Sequence, residues 1–410
     1  MAIVLLFMCN LCREMLKAVA RGGCGTLDGR CATSYSDHQT LSSLPGERAE
    51  QFGGEPPGGF VFPYWLLFSM CAAGAMTTRK ADNRSIPPLL LAVALFTTIF
   101  IGFRYQVGGD WINYLRIFNL LEYANLGRVV TFADPAYAML NKIAHMLGVE
   151  VWFVNLVCAA IFTWGLTVFC ARQPNPWLGF VVAVPYLVIV VGMGYTRQAA
   201  AIGFILIGLA QLERHSIFRF AVYAIIAAAF HKSAIAAIPL VALGSARGKV
   251  MHAALMAVLG IMIFYVFVER GMAGFTASYV NQQYDAQGAA VRVLMNIIPA
   301  TIFLLFMKRF DITPAQRVLW RNFSIGAYFT LALLFLVASS TIADRLALYL
   351  IPLQVFVFSR LPYAFPRNGK PDPLLVVAVV AYSALVQFVW LTQAQHADAW
   401  LPYRFYPLLS

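Results

Sequence analysis

The fold class this sequence predicts is all-α: a polytopic transmembrane helical bundle of about 12 membrane segments, with external amphipathic helices between the second and third. Three observations predict it. The chain is 60% hydrophobic and only 12% charged, with mean hydropathy +0.72, whereas soluble domains carry about 25% charged residues. Apolar runs of membrane length recur along it. When those runs alternate in direction, every short basic loop falls on one side.

Residues 1–59 differ in character from the rest of the chain. Ala2 to Leu11 is apolar but short, with no cation before it, which makes a poor signal peptide. Residues 20–59 are rich in Gly, Ser, Pro and charge and read as disordered. An extension created by a start codon placed too far upstream is the plainer alternative, with Phe60 to Trp65 as the natural beginning. The membrane domain then runs over 60–403. Residues 1–59 hold 5 Lys/Arg and 6 Asp/Glu, a net of −1, so the whole excess of the +12 chain lies in the membrane body. No dense basic helix or stacking platform favours nucleic acid; anionic lipid or a phosphate-bearing substrate fits better. The seven cysteines make no disulfide framework. Cys71, Cys158 and Cys170 sit in apolar runs, and Cys9 and Cys12 lack the spaced partners of a zinc site.

The apolar segments are 61–77, 86–103, 151–170, 177–194, 195–212, 217–230, 231–244, 250–268, 291–307, 321–338, 343–360 and 373–392. Arg79, Lys80 and Arg84 put the first loop in the cytoplasm. Alternation then places Arg172, Arg214, Arg219, Arg247, Lys249, Lys308, Arg309, Arg317, Arg321, Arg360, Arg367 and Lys370 on that same side. The rule holds only if 217–244 is split at Phe230 to Ser233; one long helix there would invert everything downstream. Each half is too short to cross about 30 Å unaided, which predicts a broken helix lining a cavity. Between the second and third segments, 110–126 and 135–147 read as amphipathic helices on the outer leaflet. The second places Tyr137, Leu140 and Ile143 on one face. A polar external loop spans 269–290.

The outer side still carries Arg104, Arg116, Arg128, Lys142, Arg197, Lys232, Arg270, Arg292, Arg345 and Arg404. Three inward-running helices are predicted to begin with polar groups in their first turn: Arg197 with Gln198, His231 with Lys232 and Ser233, and Asp344 with Arg345. A cation at a helix N-terminus opposes the macrodipole and needs a compensating anion. Helix N-termini also present N–H groups to phosphate, and arginine adds bidentate contacts. Snorkelling arginines explain any one of these placements but account less well for the joint cluster. In group transfer from a diphosphate, Arg104, Arg197 and Arg345 would steady the leaving group. His231 or Asp110 would take the hydroxyl proton. Burial and the adjacent cation both favour the neutral imidazole that a base requires. Gly108 and Gly109 allow a sharp turn or a close backbone approach. Tyr105, Trp111 and Tyr114 suit an interface or a sugar face. The residue patterns that mark nucleotide-sugar, ATP, zinc-protease and serine-hydrolase chemistry are missing.

Phe103-Arg104-Tyr105, Val107-Gly108-Gly109-Asp110-Trp111 and Tyr114, then Thr196-Arg197-Gln198, then Phe230-His231-Lys232-Ser233, then Arg345 and Tyr349, and last Trp400 to Tyr403, resemble in order and spacing the EpsG family of Wzy-like exopolysaccharide polymerases. The family usually has Gly-Thr-Asp where this chain has Gly108-Gly109-Asp110. The resemblance implies a membrane glycosyltransferase-type enzyme. It would join polyprenyl-diphosphate-linked oligosaccharides at the outer, periplasmic face of the bacterial inner membrane, without cofactor, metal or nucleotide. His231, Asp110, Arg197 and Arg345 would be catalytic; Arg104, Tyr105, Trp111, Tyr114, Gln198, Lys232 and Tyr349 would bind substrate. Implied partners are the lipid-linked oligosaccharide and membrane lipids, with a chain-length regulator and export proteins as candidates, and no nucleic acid. A ligase-type transferase shares the donor and stays open. A lipid-linked-oligosaccharide flippase is disfavoured, because the mid-helix regions are nearly free of charge. A non-catalytic scaffold would not need the clustered cations.

Overall fold

The computed structural model describes residues 61–77, 86–212, 217–245, 288–336 and 340–408. Residues 1–59, the segment 250–268, most of the 269–290 loop, and Arg270 within it, lie outside them. The described chain is helical, with two isolated bridges and no strand among the described residues. Among the described residues, five helical stretches are long and apolar enough to span a membrane: Val151–Cys170, Ala289–Arg309, Pro314–Phe335, Ala343–Ala364 and Pro373–Gln393. Shorter apolar helices of 10–17 residues accompany them. Twelve crossings therefore stay an expectation.

In chain order the helices are α1 (Phe62–Thr77), α2 (Pro88–Gly102), α3 (Trp111–Glu122), α4 (Leu126–Val130), α5 (Pro135–Met146), α6 (Val151–Cys170), α7 (Pro176–Ala183), α8 (Thr196–Gln211), α9 (Ile217–Phe230), α10 (Ala237–Ser245), α11 (Ala289–Phe306), α12 (Pro314–Leu336), α13 (Ser340–Leu348), α14 (Pro352–Ala364) and α15 (Pro373–Gln393). Proline opens several of them, where its missing N–H costs nothing. Asn175 and Asp372 cap α7 and α15 through Leu178 N–H and Leu374 N–H. After α7 the chain continues as a π-helix, Val184–Gly192, buried throughout. Pro185 has no N–H to donate, and the widened turn follows from that position.

Long-range hydrogen bonds sort the helix ends into two groups. One end gathers Tyr64, Arg104, Asn155, Thr196 and Trp400: Tyr64 donates to the Trp400 carbonyl at 2.6 Å, and Arg104 to Thr196 Oγ1 at 2.7 Å. The other gathers Ala75, Arg172, Asn175 and Arg360, with Asn175 donating to Ala75 O at 3.0 Å and Arg360 to Arg172 O at 3.2 Å. Helices α6 and α8 start together at the first end and run parallel in backbone contact. A Cβ added to Gly165 would lie 2.1 Å from the Gly203 carbonyl oxygen, the small-residue contact by which helices in lipid approach closely.

The break within 217–244 lies where the sequence predicts it. Helix α9 packs back along α8, with Gly208 against Phe220, and stops at Phe230. His231 is extended, a 3-10 turn follows at Lys232–Ala236, and α10 heads back into the bundle, where Asn322 donates to Leu240 O at 3.2 Å.

Two expectations need correction. Asp344 and Arg345 do not open a helix: α13 already contains Ser340, and Arg345 stands in its last turn. Pro352 cannot donate a backbone hydrogen bond, so the chain loosens at Tyr349 to Ile351 before α14 begins. Helix α5 does not present Tyr137, Leu140 and Ile143 as one face to the leaflet: Ile143 is exposed, whereas Tyr137 is buried with Ala138, Asn141 and Ala144 on the inner face. The second amphipathic stretch is thus walled by protein on that face.

Candidate functional site

A bend between α2 and α3 begins the site. Gly108 has φ +107, and an added Cβ would lie 2.3 Å from the Met193 carbonyl oxygen. The glycine therefore serves a close backbone approach to another segment of the protein. The C-terminal segment straps this bend: Gly108 N–H donates to Ala399 O at 2.7 Å, Tyr105 N–H to Arg404 O at 3.0 Å, and Tyr406 N–H to Phe103 O at 2.8 Å. Trp400 is wedged beneath, its indole N–H on the Ile189 carbonyl at 2.9 Å.

Arg104 is the floor of the site. It is 0% exposed. Its guanidinium donates to Ile101 O (2.8 Å), Val107 O (3.2 Å), Thr196 Oγ1 (2.7 Å) and Asn155 Oδ1 (3.4 Å). Burial pulls its pKa below the ordinary guanidinium range, and four acceptors compensate. Arg104 joins α2, α6 and α8, and its guanidinium is turned to protein acceptors. Four other expected contact residues, Trp111, Tyr114, Gln198 and Tyr349, are also buried. Tyr105 is half-buried, edge-on to Trp111 at 5.8 Å between ring centroids. Of the four expected aromatic rings it is the one left partly accessible.

Above that floor the first turn of α8 presents Arg197. Its side chain is 25% exposed and forms an ion pair with Asp134 at 2.6 Å. The guanidinium lies over the rings of Tyr114 and Tyr137, at 5.7 and 5.8 Å. Arg345 lies over Tyr195 at 5.1 Å and exchanges reciprocal 3.2 Å bonds with Gln198, side chain to side chain and side chain to backbone. Its neighbour Asp344 pairs with Arg292, so that acid belongs to the α11–α13 contact. The Lys232 backbone N–H donates to Asp134 Oδ1 at 3.3 Å; its ammonium is held by no ion pair or hydrogen bond among the described residues.

Tyr114 measures how close these charges are. Burial raises its pKa and Asp110 adds to the rise, while Arg197, Arg104 and Arg345 all act against it. One phenol thus feels four of the predicted residues. Asp110 caps no N–H of α3 and contacts Asn113 at 3.5 Å.

His231 is 8% exposed. Its Nδ1 lies 3.1 Å from Ser233 Oγ and 3.4 Å from Ser233 N–H, and Ser233 Oγ donates to the Tyr349 hydroxyl at 3.3 Å. Two tautomers have partners here. With Nδ1 protonated, the ring donates to Ser233 Oγ, whose own hydrogen goes on to Tyr349, and Nε2 is left basic. With Nδ1 bare, it accepts from Ser233 N–H and caps the 3-10 turn. Ser233 and Tyr349 thereby hold the ring from the bundle side.

The sequence reading does not single out Asp134, although it is 3% exposed and bonded to two of the cationic segments. A signal is present: an acid directly before Pro135 at a helix start, in a chain with 18 Asp and Glu. Among the described residues no group of His, Cys, Asp and Glu could hold a metal ion.

Comparison with curated proteins and with solved structures finds no match. The EpsG family model matches residues 89–405, a span that contains every residue of this site. That covers well over half the chain, and this protein belongs to the EpsG family.

Proposed function

We propose that this protein polymerises polyprenyl-diphosphate-linked oligosaccharide repeat units into exopolysaccharide at the periplasmic face of a bacterial inner membrane. Family membership supports a membrane glycan polymerase. The observation that carries the reading further is that Arg197 and Arg345, from two chain segments, both act on the Tyr114 phenol, while Asp134 ties Arg197 to the backbone of the residue that follows His231. Arg197 and Arg345 hold the diphosphate of the growing chain, with Lys232 as a third donor. A hydroxyl oxygen of the incoming repeat unit bonds to the anomeric carbon at the chain's lipid-linked end. The carbon–oxygen bond to the diphosphate breaks, and its electron pair leaves with the diphosphate. The hydroxyl proton passes to His231 Nε2, with Ser233 and Tyr349 orienting the ring. Asp110 is the alternative base, and Tyr105 is the ring available to a sugar.

Purified protein supplied with a lipid-diphosphate repeat unit and no other factor tests this. A ladder of products supports the polymerase. Single transfer that depends on an added, different acceptor would make the protein a ligase and overturn it. Sidedness is tested separately by cysteine labelling in intact cells. A cysteine at position 110 should react from outside, and one at 308 or 370 should be protected. Labelling at 308 from outside would reverse the orientation.

A further inference from the structure

Asp134 precedes α5 at its N-cap position, yet its side chain makes no hydrogen bond to that helix. A carboxylate there ordinarily accepts from its own helix's first N–H groups. Here both oxygens leave for other elements. Oδ2 accepts from Arg197 Nη1 at 2.6 Å, and Oδ1 from the Lys232 N–H at 3.3 Å. One buried anion therefore sets the direction of the guanidinium at the start of α8 and fixes the first residue past the His231 break. Arg197 is further confined by the Tyr114 and Tyr137 rings, and its Nε is buried with no hydrogen-bond partner. Its side chain is nevertheless 25% exposed, so Asp134 aims a cation that an anion from outside can still reach.

We propose that Asp134 is a positioning residue that shares Arg197 with the substrate diphosphate, weakening ground-state binding while aiming Arg197 for turnover. This rests on the reading that Arg197 meets a diphosphate. The carboxylate repels a second anion brought to the same guanidinium and occupies one of its donors. Removing that charge strengthens attraction for the lipid diphosphate. It also frees the fork to swing, and a misplaced catalytic group lowers the rate even when binding improves. Affinity and turnover should therefore change in opposite directions.

The experiment measures binding of polyprenyl diphosphate, turnover of the lipid-linked repeat unit and thermal melting, for the wild-type protein and Asp134→Asn. The asparagine keeps an acceptor for the Lys232 N–H and loses the charge. It should bind polyprenyl diphosphate roughly three- to tenfold tighter. It should turn over about tenfold or more slower, at a melting temperature near that of the wild type. Asp134→Ser, which also keeps an acceptor without charge, gives the same readout if the asparagine variant does not fold. Affinity equal to or weaker than wild type in the folded variant overturns the proposal, and so does loss of binding and turnover together with a lowered melting temperature. If wild-type protein fails to bind polyprenyl diphosphate at all, the reading of Arg197 itself falls, which separates that failure from an error about Asp134 alone.

Discussion

Two arginines at opposite ends of the bundle look alike until their partners are compared. Arg360 lies over the Phe356 ring at 4.7 Å and donates to a glutamine, Gln173, at 3.0 Å. Arg345 lies over Tyr195 at 5.1 Å and donates to a glutamine, Gln198, at 3.2 Å. Arg360 also donates to the Arg172 carbonyl, just past the C-terminus of α6. There the helix dipole and the orphan carbonyls favour a cation. Among the described residues Arg345 donates to no such helix-end carbonyl, and with Arg197 it acts on the same Tyr114 phenol. Charge at Arg360's end closes a helix; charge at Arg345's end is gathered beyond what closing helices requires. The cations of greatest interest are thus those whose surroundings do not already satisfy them, and substitutions on either side of that division should behave differently.

The largest effect is expected where satisfaction is most complete. Arg104→Ala should remove the four bonds that join α2, α6 and α8, and leave buried acceptors without partners. A loss of about 3 kcal/mol or more follows, seen as little folded protein in detergent and a large fall in melting temperature. Arg104→Lys should fail similarly, because one ammonium cannot reproduce the planar fork. An Arg104→Ala protein that melts like wild type and merely loses activity would erase the distinction between floor and rim.

Next come Arg345→Ala, which should abolish polymer while protein level and melting stay near normal, and Arg197→Ala, which should abolish polymer and also lower the melting temperature, because it strands the buried Asp134 carboxylate. Each loses a charge-assisted phosphate contact of about 1.5–3 kcal/mol. The lysine variants should also fail if the contacts are bidentate; full activity in both would reduce these residues to snorkelling cations. His231→Gln should lower the rate roughly 10²–10⁴-fold with lipid-diphosphate binding retained. A fully active glutamine variant would move the base to Asp110. Ser233→Ala keeps the backbone N–H but removes the acceptor for Nδ1–H. It should lower the rate by about tenfold and shift the acidic limb of the pH–rate profile, whereas a purely packing role for Ser233 would leave that profile in place.

Much of the framework is legible from local pattern. Apolar runs locate α6 and α15 to within a residue or two. The loop charges together with segment length locate the break at His231, because one long helix would send basic loops to the wrong side. What is not legible depends on distant partners. Arg104 reads as an outer-side cation available to a diphosphate; its hydrogen-bond partners Asn155 and Thr196 lie 51 and 92 residues away. Asp134 is joined to Arg197 and Lys232 across 63 and 98 residues, and neither separation leaves a trace in local spacing. The placement of Asp344 and Arg345 late in α13 follows from a helix that contains Ser340 and ends before Pro352. Trp111 and Tyr114 suit an interface or a sugar face by residue type, and only packing shows them inside.

The smallest effect should come from Arg360→Ala. Its guanidinium is half-buried, and its bonds to Gln173 and the Arg172 carbonyl lie at the end remote from His231. The Arg172 carbonyl lies just past the end of α6 and can turn to water if that end meets solvent, so the penalty for losing its donor is modest. Stability should fall by about 1 kcal/mol, a shift of a few degrees in melting temperature, with polymer length and initial rate unchanged. Arg345→Ala should do the reverse, with rate lost and melting kept. Measuring both variants in one preparation makes the contrast internal, since expression and detergent effects act on both alike. If Arg360→Ala lost polymer while melting normally, then ring, glutamine and guanidinium together would be marking function at both ends, and unsatisfied surroundings would no longer be the feature that singles out Arg345.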